Sequence, residues 1–169
     1  MLLNSNQIAN YVIESQFSKR AQIGIDLSVC KIEIISVGSV VYKDQTIINP
    51  HGYENITPQN EHDREVWVLD KGVYSVTFNE GIKMPADCAA KITHRSSLYR
   101  TGTIIESPWW DPGFHCDQMN TVMIVNNSIT IEKNARIAQI AFWRVEEVGE
   151  QYGGEGSQWQ GLNTAYKTS

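Results

Sequence analysis

The feature that most constrains the fold is the spacing of apolar residues, which alternate with polar ones in many short stretches. Such patterns occur at residues 22–29, 31–34, 121–125, 129–131 and 136–142, with glycines or polar turns between them. Alternation of this kind places one face of each strand in a core and the other toward solvent. Many short strands and little helix predict a mainly β protein, either a sandwich or a barrel-like fold with Greek-key connections.

Two helices are expected to interrupt this pattern. Asn4 and Ser5 precede apolar residues spaced three and four apart, which predicts a capped amphipathic helix near residues 5 to 16. Ser96 and Ser97 are predicted to cap a second, very short internal helix. Residues 49–64 are polar and aperiodic, so they are expected to form a long surface loop. The stretches 66–69 and 72–78 are expected to pair as strands around the turn between them.

Composition limits the class of protein. A chain of 169 residues can form one domain with its own core, and it contains no long apolar run or basic-apolar leader. Three widely spaced cysteines argue against a disulfide framework, so a cytoplasmic protein with free thiols is expected. The formal net charge of -5 argues against a nucleic acid polymer as partner. Phosphate binding would require a local cluster of arginines and would suit a small anion.

The densest cluster of chemically useful side chains is the run 94–102, followed nine residues on by Asp111 in an Asp-Pro-Gly turn. Arg95 and Arg100 supply two guanidiniums, and Ser96 and Ser97 supply hydroxyls beside the predicted helix start. One interpretation is a binding site for phosphate esters, because a helix start flanked by arginine attracts polyanions. The alternative is a surface turn with exposed arginines. The lone carboxylate of Asp111 adds a candidate catalytic base.

Asp26 lies among apolar neighbours within a predicted strand. A buried carboxylate without a partner is very costly, so an arginine is expected to pair with it.

The C-terminal segment from Gly149 is rich in glycine and too polar to be core, yet it carries Tyr152 and Trp159. One alternative is a disordered terminus. The other is a segment that closes over a ligand, because glycine lets backbone N–H groups approach phosphate while an aromatic ring covers a base. Composition leaves both open.

These motifs together resemble the superfamily of dUTPases and dCTP deaminases. The resemblance rests on five segments in order: Gly24–Leu27, Arg95–Gly102, Asp111–Phe114, Arg136–Ile140 and the glycine-rich tail. It implies a distorted jelly-roll-like β-barrel over residues 1–148 and a flexible tail, 149–169, that closes over the active site. It also implies a homotrimer with active sites between subunits.

The resemblance further implies roles for individual residues. It assigns triphosphate binding to Arg95, Ser96, Ser97, Arg100 and Gln139, and to Ser157 and Gln158 in the tail. Phe114 matches the aromatic on which the family stacks deoxyribose, with Thr121 near the base and Asp26 in support. Mg²⁺ is expected to bind through the triphosphate, without direct side-chain ligands.

The position ten residues after Asp111 separates two reactions. Deaminases of this superfamily have a glutamate there that shuttles the proton, and this chain has Thr121. The signature of zinc deaminases is also absent. The prediction is therefore that Asp111 activates water for hydrolysis of dUTP to dUMP and diphosphate.

Two other functions stay open. Glu106 lies in a segment two residues shorter than the usual deaminase spacing, and it either restores a carboxylate near the pyrimidine or serves only as an ion-pair partner. The first case would allow dCTP deamination, alone or coupled to hydrolysis. A non-catalytic, regulatory nucleotide-binding protein is the other alternative, and it would not need Asp111.

Overall fold

The computed structural model describes residues 1–36, 38, 40–43, 46–47 and 52–146. Short strands dominate this part of the chain, and its one α-helix is too short to cross a membrane. The elements are β1 Val12–Ile13, β2 Lys19–Arg20, β3 Ile25–Ile35, β4 Val40–Val41, β5 Thr46–Ile47, β6 Tyr53–Asn55, β7 Gln59–Glu61, β8 Arg64–Leu69, β9 Gly72–Phe78, β10 Gly81–Lys83, β11 Cys88–His94, α1 Ser96–Tyr99, β12 Thr103–Glu106, β13 His115–Cys116, β14 Asn120–Val125, β15 Ile129–Glu132 and β16 Arg136–Arg144.

Six antiparallel strands close into a barrel in the order β16-β11-β12-β14-β9-β3, and β3 pairs back onto β16. β3 can close the barrel because its first half pairs with β16 and its second half with β9, with a register shift between Val29 and Lys31. Its residues Ile25, Leu27 and Val29 are completely buried. The mainly β, barrel-like prediction is confirmed.

The side sheet β15-β8-β7 contributes to the same core. Trp67 and Leu69 of β8 are buried with the barrel residues Phe78 and Phe142. The Trp67 indole donates its hydrogen bond to the Ile56 carbonyl at 2.7 Å, so burial leaves its polar atom satisfied.

The predicted N-terminal helix over residues 5 to 16 is wrong. Residues 5–11 form successive turns, with hydrogen bonds from Gln7 N to Asn4 O and from Tyr11 N to Ile8 O. The chain then enters β1, which pairs with β10. Ile8 and Val12 are buried, so the apolar spacing was real. A segment this short gains little from helix formation, and strand pairing with β10 satisfies its backbone instead.

Two expectations about residues 49–78 are also wrong. The predicted loop contains β6 and β7, although its residues 49–51 lie outside the described part. β8 and β9 do not pair with each other: β8 lies between β7 and β15, and β9 between β14 and β3. The turn from β7 to β8 places His62 and Asp63 at φ 50° and 63° without any glycine, so the usual hairpin signal is absent.

Candidate functional site

Strand β11 ends by delivering Arg95 to the start of α1. Arg95 is extended, with φ −72° and ψ 152°, and its N–H donates to Ile137 O. The predicted capping by serine is wrong: Arg95 is the N-cap residue and makes no side-chain cap bond. Ser96 and Ser97 are the first helical residues, and both are exposed. Both serines are therefore open to solvent and directly follow Arg95 in the chain.

Four residues are too few for a stable isolated helix, so contacts with the barrel must hold α1. Leu98 is buried in the core, and the Tyr99 ring stacks on His94 with centroids 5.0 Å apart and an interplanar angle of 15°. Arg100 follows as the exposed C-cap residue. Arg95 and Arg100 thus flank a single helical turn that its contacts with the barrel hold in place.

Asp26 is the anchor of this cluster. Its side chain is 5% exposed, and Arg95 Nε lies 3.1 Å from its Oδ2. Gln139 Nε2 donates to its Oδ1 at 3.1 Å. The arginine expected from the sequence is therefore Arg95, and the pair compensates the buried charge.

The Arg95 guanidinium is only partly committed. Its Nη1 donates to Arg136 O at 3.0 Å, while Nη2 makes no hydrogen bond within the described residues. About a third of the side chain, 34%, is exposed. Arg95 is thus held in place by protein acceptors and keeps donors for an external anion.

Gly24 permits the close packing that orients Gln139. A Cβ at residue 24 would lie 2.4 Å from Ile140 O and 2.9 Å from Gln139 Cγ. Only hydrogen fits at this position, so β16 can run directly against the segment before β3. The cross-strand pairing of Gln139 with Asp26 follows from this approach.

Asp111 lies at a different place on the barrel. Trp110 bridges to Ala90 of β11, and Asp111 then opens an exposed turn in which Gly113 has φ 85°. Arg95 lies five residues beyond Ala90, which is roughly 17 Å at the rise of a β-strand. Within one chain, the turn of Asp111 therefore begins beside Ala90 near the start of β11, whereas Arg95 follows the end of that strand.

Phe114 closes the Asp111 turn. Its N–H donates to Asp111 O at 3.2 Å, and its ring lies 5.1 Å from that of Trp110. The ring is almost completely buried. Trp109, by contrast, is about half exposed and makes an edge contact with Trp143 at 5.2 Å. The Pro-Trp-Trp segment therefore anchors this turn on one side and presents an aromatic surface on the other.

Thr121 and Glu106 lie side by side, and both are committed to other contacts. Thr121 is buried, and its hydroxyl donates to the backbone carbonyl of Glu106 at 2.9 Å. The Glu106 side chain is 63% exposed and forms an ion pair with Lys91. The hydrogen bond and charge of Lys91 lower the pKa of Glu106, so this carboxylate is ionised at neutral pH.

The cysteines and histidines form no metal centre in the described part of the chain, where no three His, Cys, Asp or Glu side chains are grouped suitably. Burial raises the pKa of the Cys88 thiol to about 11 and that of Cys116 to about 12. Both are therefore inert, protonated thiols.

Two cationic residues of the cluster were missed by sequence reasoning. Lys19 pairs directly with Asp26 in the β2–β3 register, and Arg136 lies beside Arg95. A two-residue strand such as β2 leaves no periodic signal, so the position of Lys19 was not predictable. Ser157, Gln158 and the rest of the tail lie outside the described residues.

The structure thus combines a closed antiparallel β-barrel with an arginine and a glutamine held on a buried aspartate. The model of the dCTP deaminase-like family matches residues 3–145, and the chain belongs to this family.

Two relatives that cover most of this chain carry the same enzyme name. A deoxyuridine 5'-triphosphate nucleotidohydrolase of Methanocaldococcus jannaschii is 35% identical over 156 residues, covering 91% of this chain and 97% of the relative. A protein of Methanosarcina acetivorans with the same name, qualified as probable, is 31% identical over 166 residues, covering 90% and 94%.

Solved structures agree on the fold. A 2'-deoxycytidine 5'-triphosphate deaminase from Agrobacterium tumefaciens has a TM-score of 0.54 at 16% identity, covering 83% of this chain and 46% of the other. The EIAV dUTPase has a TM-score of 0.51 at 14% identity, covering 92% and 98%. Both support the jelly-roll-like barrel.

Proposed function

We propose that this protein hydrolyses dUTP to dUMP and diphosphate. The observation that carries the proposal is that Thr121 and Glu106, the two side chains where deamination would need a proton shuttle, are both engaged in other contacts. The Thr121 hydroxyl is bonded to a backbone carbonyl, and Glu106 is an ionised partner of Lys91. Neither is suited to donate and accept protons at a base, whereas Asp111 is an exposed carboxylate on a turn. The names of the archaeal relatives agree.

The arginine cluster is proposed to bind the triphosphate. Arg95 has an unengaged Nη2, and Ser96, Ser97 and Arg100 are exposed around it. Gln139 is proposed to contact the phosphates from its position on Asp26, and Ser157 and Gln158 to add contacts from the tail. In a protein of net charge −5, this local positive charge is what recruits a small polyanion.

In the proposed reaction, Asp111 accepts a proton from water as the water oxygen attacks the α-phosphorus. The bond between that phosphorus and the oxygen bridging to the β-phosphate breaks, and diphosphate leaves with the electron pair. Arg95 and Arg100 stabilise the charge that develops on the phosphoryl oxygens. Phe114 is proposed to support the deoxyribose.

Mg²⁺ is proposed to arrive with the nucleotide. Its preferred ligands are phosphate oxygens and water, which the triphosphate supplies, and it would neutralise charge on the phosphates. Asp26, the carboxylate within the cluster, is already bound to Arg95 and Gln139. This donor set fits a metal held by the substrate.

In a homotrimer, an active site formed between two subunits could bring Asp111 of one subunit close to Arg95 of another. If one subunit supplies the base and another the arginines, the roughly 17 Å along β11 does not prevent the two groups from meeting.

An apolar strip on the outer face of the barrel, formed by Val73, Ile104, Val122 and Ile124, supports association of subunits. Val73, Val122 and Ile124 are 40–43% exposed. Val73, Ile124 and Ile104 lie in register across β9, β14 and β12, and Val122 lies two residues from Ile124 on the same face of β14. Solvated sheet faces are normally polar, so such a strip is typical of an interface.

The three thiols, free in the structure, support the cytoplasmic location proposed for this enzyme.

The first test is product analysis with dUTP or dCTP and Mg²⁺, for wild type, Asp111→Asn and Glu106→Gln. We expect diphosphate from dUTP that is lost in Asp111→Asn and kept in Glu106→Gln. Ammonia released from dCTP, and lost in Glu106→Gln, would establish deamination instead. Tight nucleotide binding without any product would establish a regulatory protein.

The second test addresses the composite site. Asp111→Asn and Arg95→Ala should each be inactive alone. When the two variants are co-expressed, about one site in four receives both intact side chains, so activity should partly return. Continued inactivity of the mixed oligomer would mean that both residues act within one subunit or that the assignment is wrong.

A further inference from the structure

The turn from β9 to β10 carries a buried carboxylate that the proposed reaction does not use. Glu80 is completely buried, and within the described residues it forms no ion pair. Hydrogen bonds replace its hydration instead. Its Oε2 accepts from the Ser28 N–H at 2.8 Å, and its Oε1 accepts from the hydroxyls of Ser28 at 2.7 Å and Ser15 at 2.5 Å. Glu80 therefore holds two serines from distant parts of the chain together.

Ser28 connects Glu80 to the backbone of the arginine cluster. It lies on β3 two residues after Asp26, and it is paired directly with Arg136 of β16. The Arg136 carbonyl accepts the hydrogen bond from Arg95 Nη1 at 3.0 Å. Glu80 thus fixes the residue of β3 that lies opposite the residue whose carbonyl orients Arg95.

Ser15 connects Glu80 to the side chain of the same arginine. Its hydroxyl accepts from Phe17 N at 3.1 Å, and its carbonyl accepts from Ser18 Oγ at 2.8 Å, which closes a short turn. The Phe17 carbonyl in this turn accepts a hydrogen bond from Arg136 Nη1 at 3.2 Å. The Arg136 side chain is therefore held by a turn that is itself bonded to Glu80.

Asn79, the neighbour of Glu80, fixes the turn that leads into β16. Its Nδ2 donates to Ser28 Oγ and to Asn134 Oδ1, both at 2.9 Å. Asn134 has φ 65°, in the left-handed region that residues with a side chain adopt mainly where their surroundings hold them there. The hydrogen bond from Asn79 supplies part of that support two residues before Arg136.

We infer that Glu80 is a positioning residue for Arg95 and acts through Arg136. Because it is completely buried, it does not touch the nucleotide itself. The inference rests on the proposed function for the role of Arg95 in binding the triphosphate. Both the backbone and the side chain of Arg136 are held through partners of Glu80, so loss of this carboxylate would loosen the acceptor that orients Arg95. A displacement of about 1 Å in a binding group can cost about a hundredfold in rate, even when the substitution is remote.

A double-mutant cycle in nucleotide binding tests this inference. Calorimetry would measure binding of the non-hydrolysable α,β-imido-dUTP with Mg²⁺ to wild type, Glu80→Gln, Arg95→Ala and the double variant. Glu80→Gln keeps the size of the side chain but replaces one acceptor oxygen by an amide that donates. Ser15→Ala is a second, milder variant, because it removes only one of the three hydrogen bonds.

Val66→Ala is the control for a general loss of stability. Val66 is buried in β8, which pairs with β7 and β15 and not with β3 or β16. The substitution leaves a cavity in the core without changing the hydrogen bonds around Arg136. Urea unfolding of every variant shows whether weaker binding follows the loss of stability or the loss of Glu80.

We expect Glu80→Gln to weaken binding of the analogue about tenfold and Ser15→Ala about threefold, whereas Val66→Ala should change it less than about twofold. In the Arg95→Ala background, Glu80→Gln should have an effect below about twofold, because the group that it positions is gone. Equal weakening by Glu80→Gln in both backgrounds, or no weakening by either Glu80→Gln or Ser15→Ala, would overturn the inference. Wild type that binds the analogue but does not hydrolyse dUTP would refute the hydrolase alone, because the cycle needs no chemistry.

Discussion

Substituting Asp26 by Asn tests whether one buried carboxylate organises the arginine cluster. The change keeps the size of the side chain but removes the charge that faces Arg95 Nε at 3.1 Å. Breaking a buried ion pair costs about 3–5 kcal/mol. The Arg95 side chain is 34% exposed, so water compensates part of that loss. We therefore expect the free energy of unfolding to fall by about 2 kcal/mol.

Urea unfolding followed by tryptophan fluorescence measures this loss, at one protomer concentration because an oligomer's stability depends on it. A double-mutant cycle with Arg95→Met isolates the pair, and we expect a coupling of about 1–2 kcal/mol. The KM for dUTP should rise in Asp26→Asn, because the guanidinium loses its orientation. A variant within about 0.5 kcal/mol of wild type, the scale of a neutral surface change, and with unchanged KM would refute the anchoring role.

Three further outcomes follow from the packing. Thr103→Val should raise the free energy of unfolding by about 1 kcal/mol, because the buried Thr103 hydroxyl has no hydrogen-bond partner among the described residues. Thr121→Val should lower it by a similar amount, because the Thr121 hydroxyl is hydrogen-bonded. Gly24→Ala should lower the free energy of unfolding in urea by about 2 kcal/mol or more, since its Cβ would meet Ile140 O. Gly38→Ala should lower it little, since no atom of the part of the chain that the structure describes lies within 4 Å of the added Cβ. A disulfide reagent at pH 8 should leave Cys116 unlabelled in the native protein and label it in urea, because its raised pKa of about 12 and its burial keep the thiol protonated and covered.

The sequence by itself determined the longer strands, their buried faces and the type of residue that pairs with Asp26. Apolar residues alternate along a strand in the same way whichever strands it pairs with. The inward residues of β3, β14 and β16 could therefore be predicted without knowing the neighbouring strands. A buried carboxylate needs a cation wherever it lies, so an arginine could be expected before Arg95 was located.

Only the tertiary structure decided which strands pair and where the candidate groups meet. Residues 5–16 had helical spacing, yet β1 pairs with β10 because the barrel satisfies its backbone more fully than a short helix would. β8 and β9 are consecutive but do not pair with each other: β8 pairs with β15 as well as β7, and Trp67 and Leu69 of β8 are buried. The local pattern of residues determines which face of a strand is apolar. The register between distant strands depends instead on packing of the whole core. That register pairs Lys19 with Asp26 and places the turn of Asp111 beside Ala90, away from Arg95.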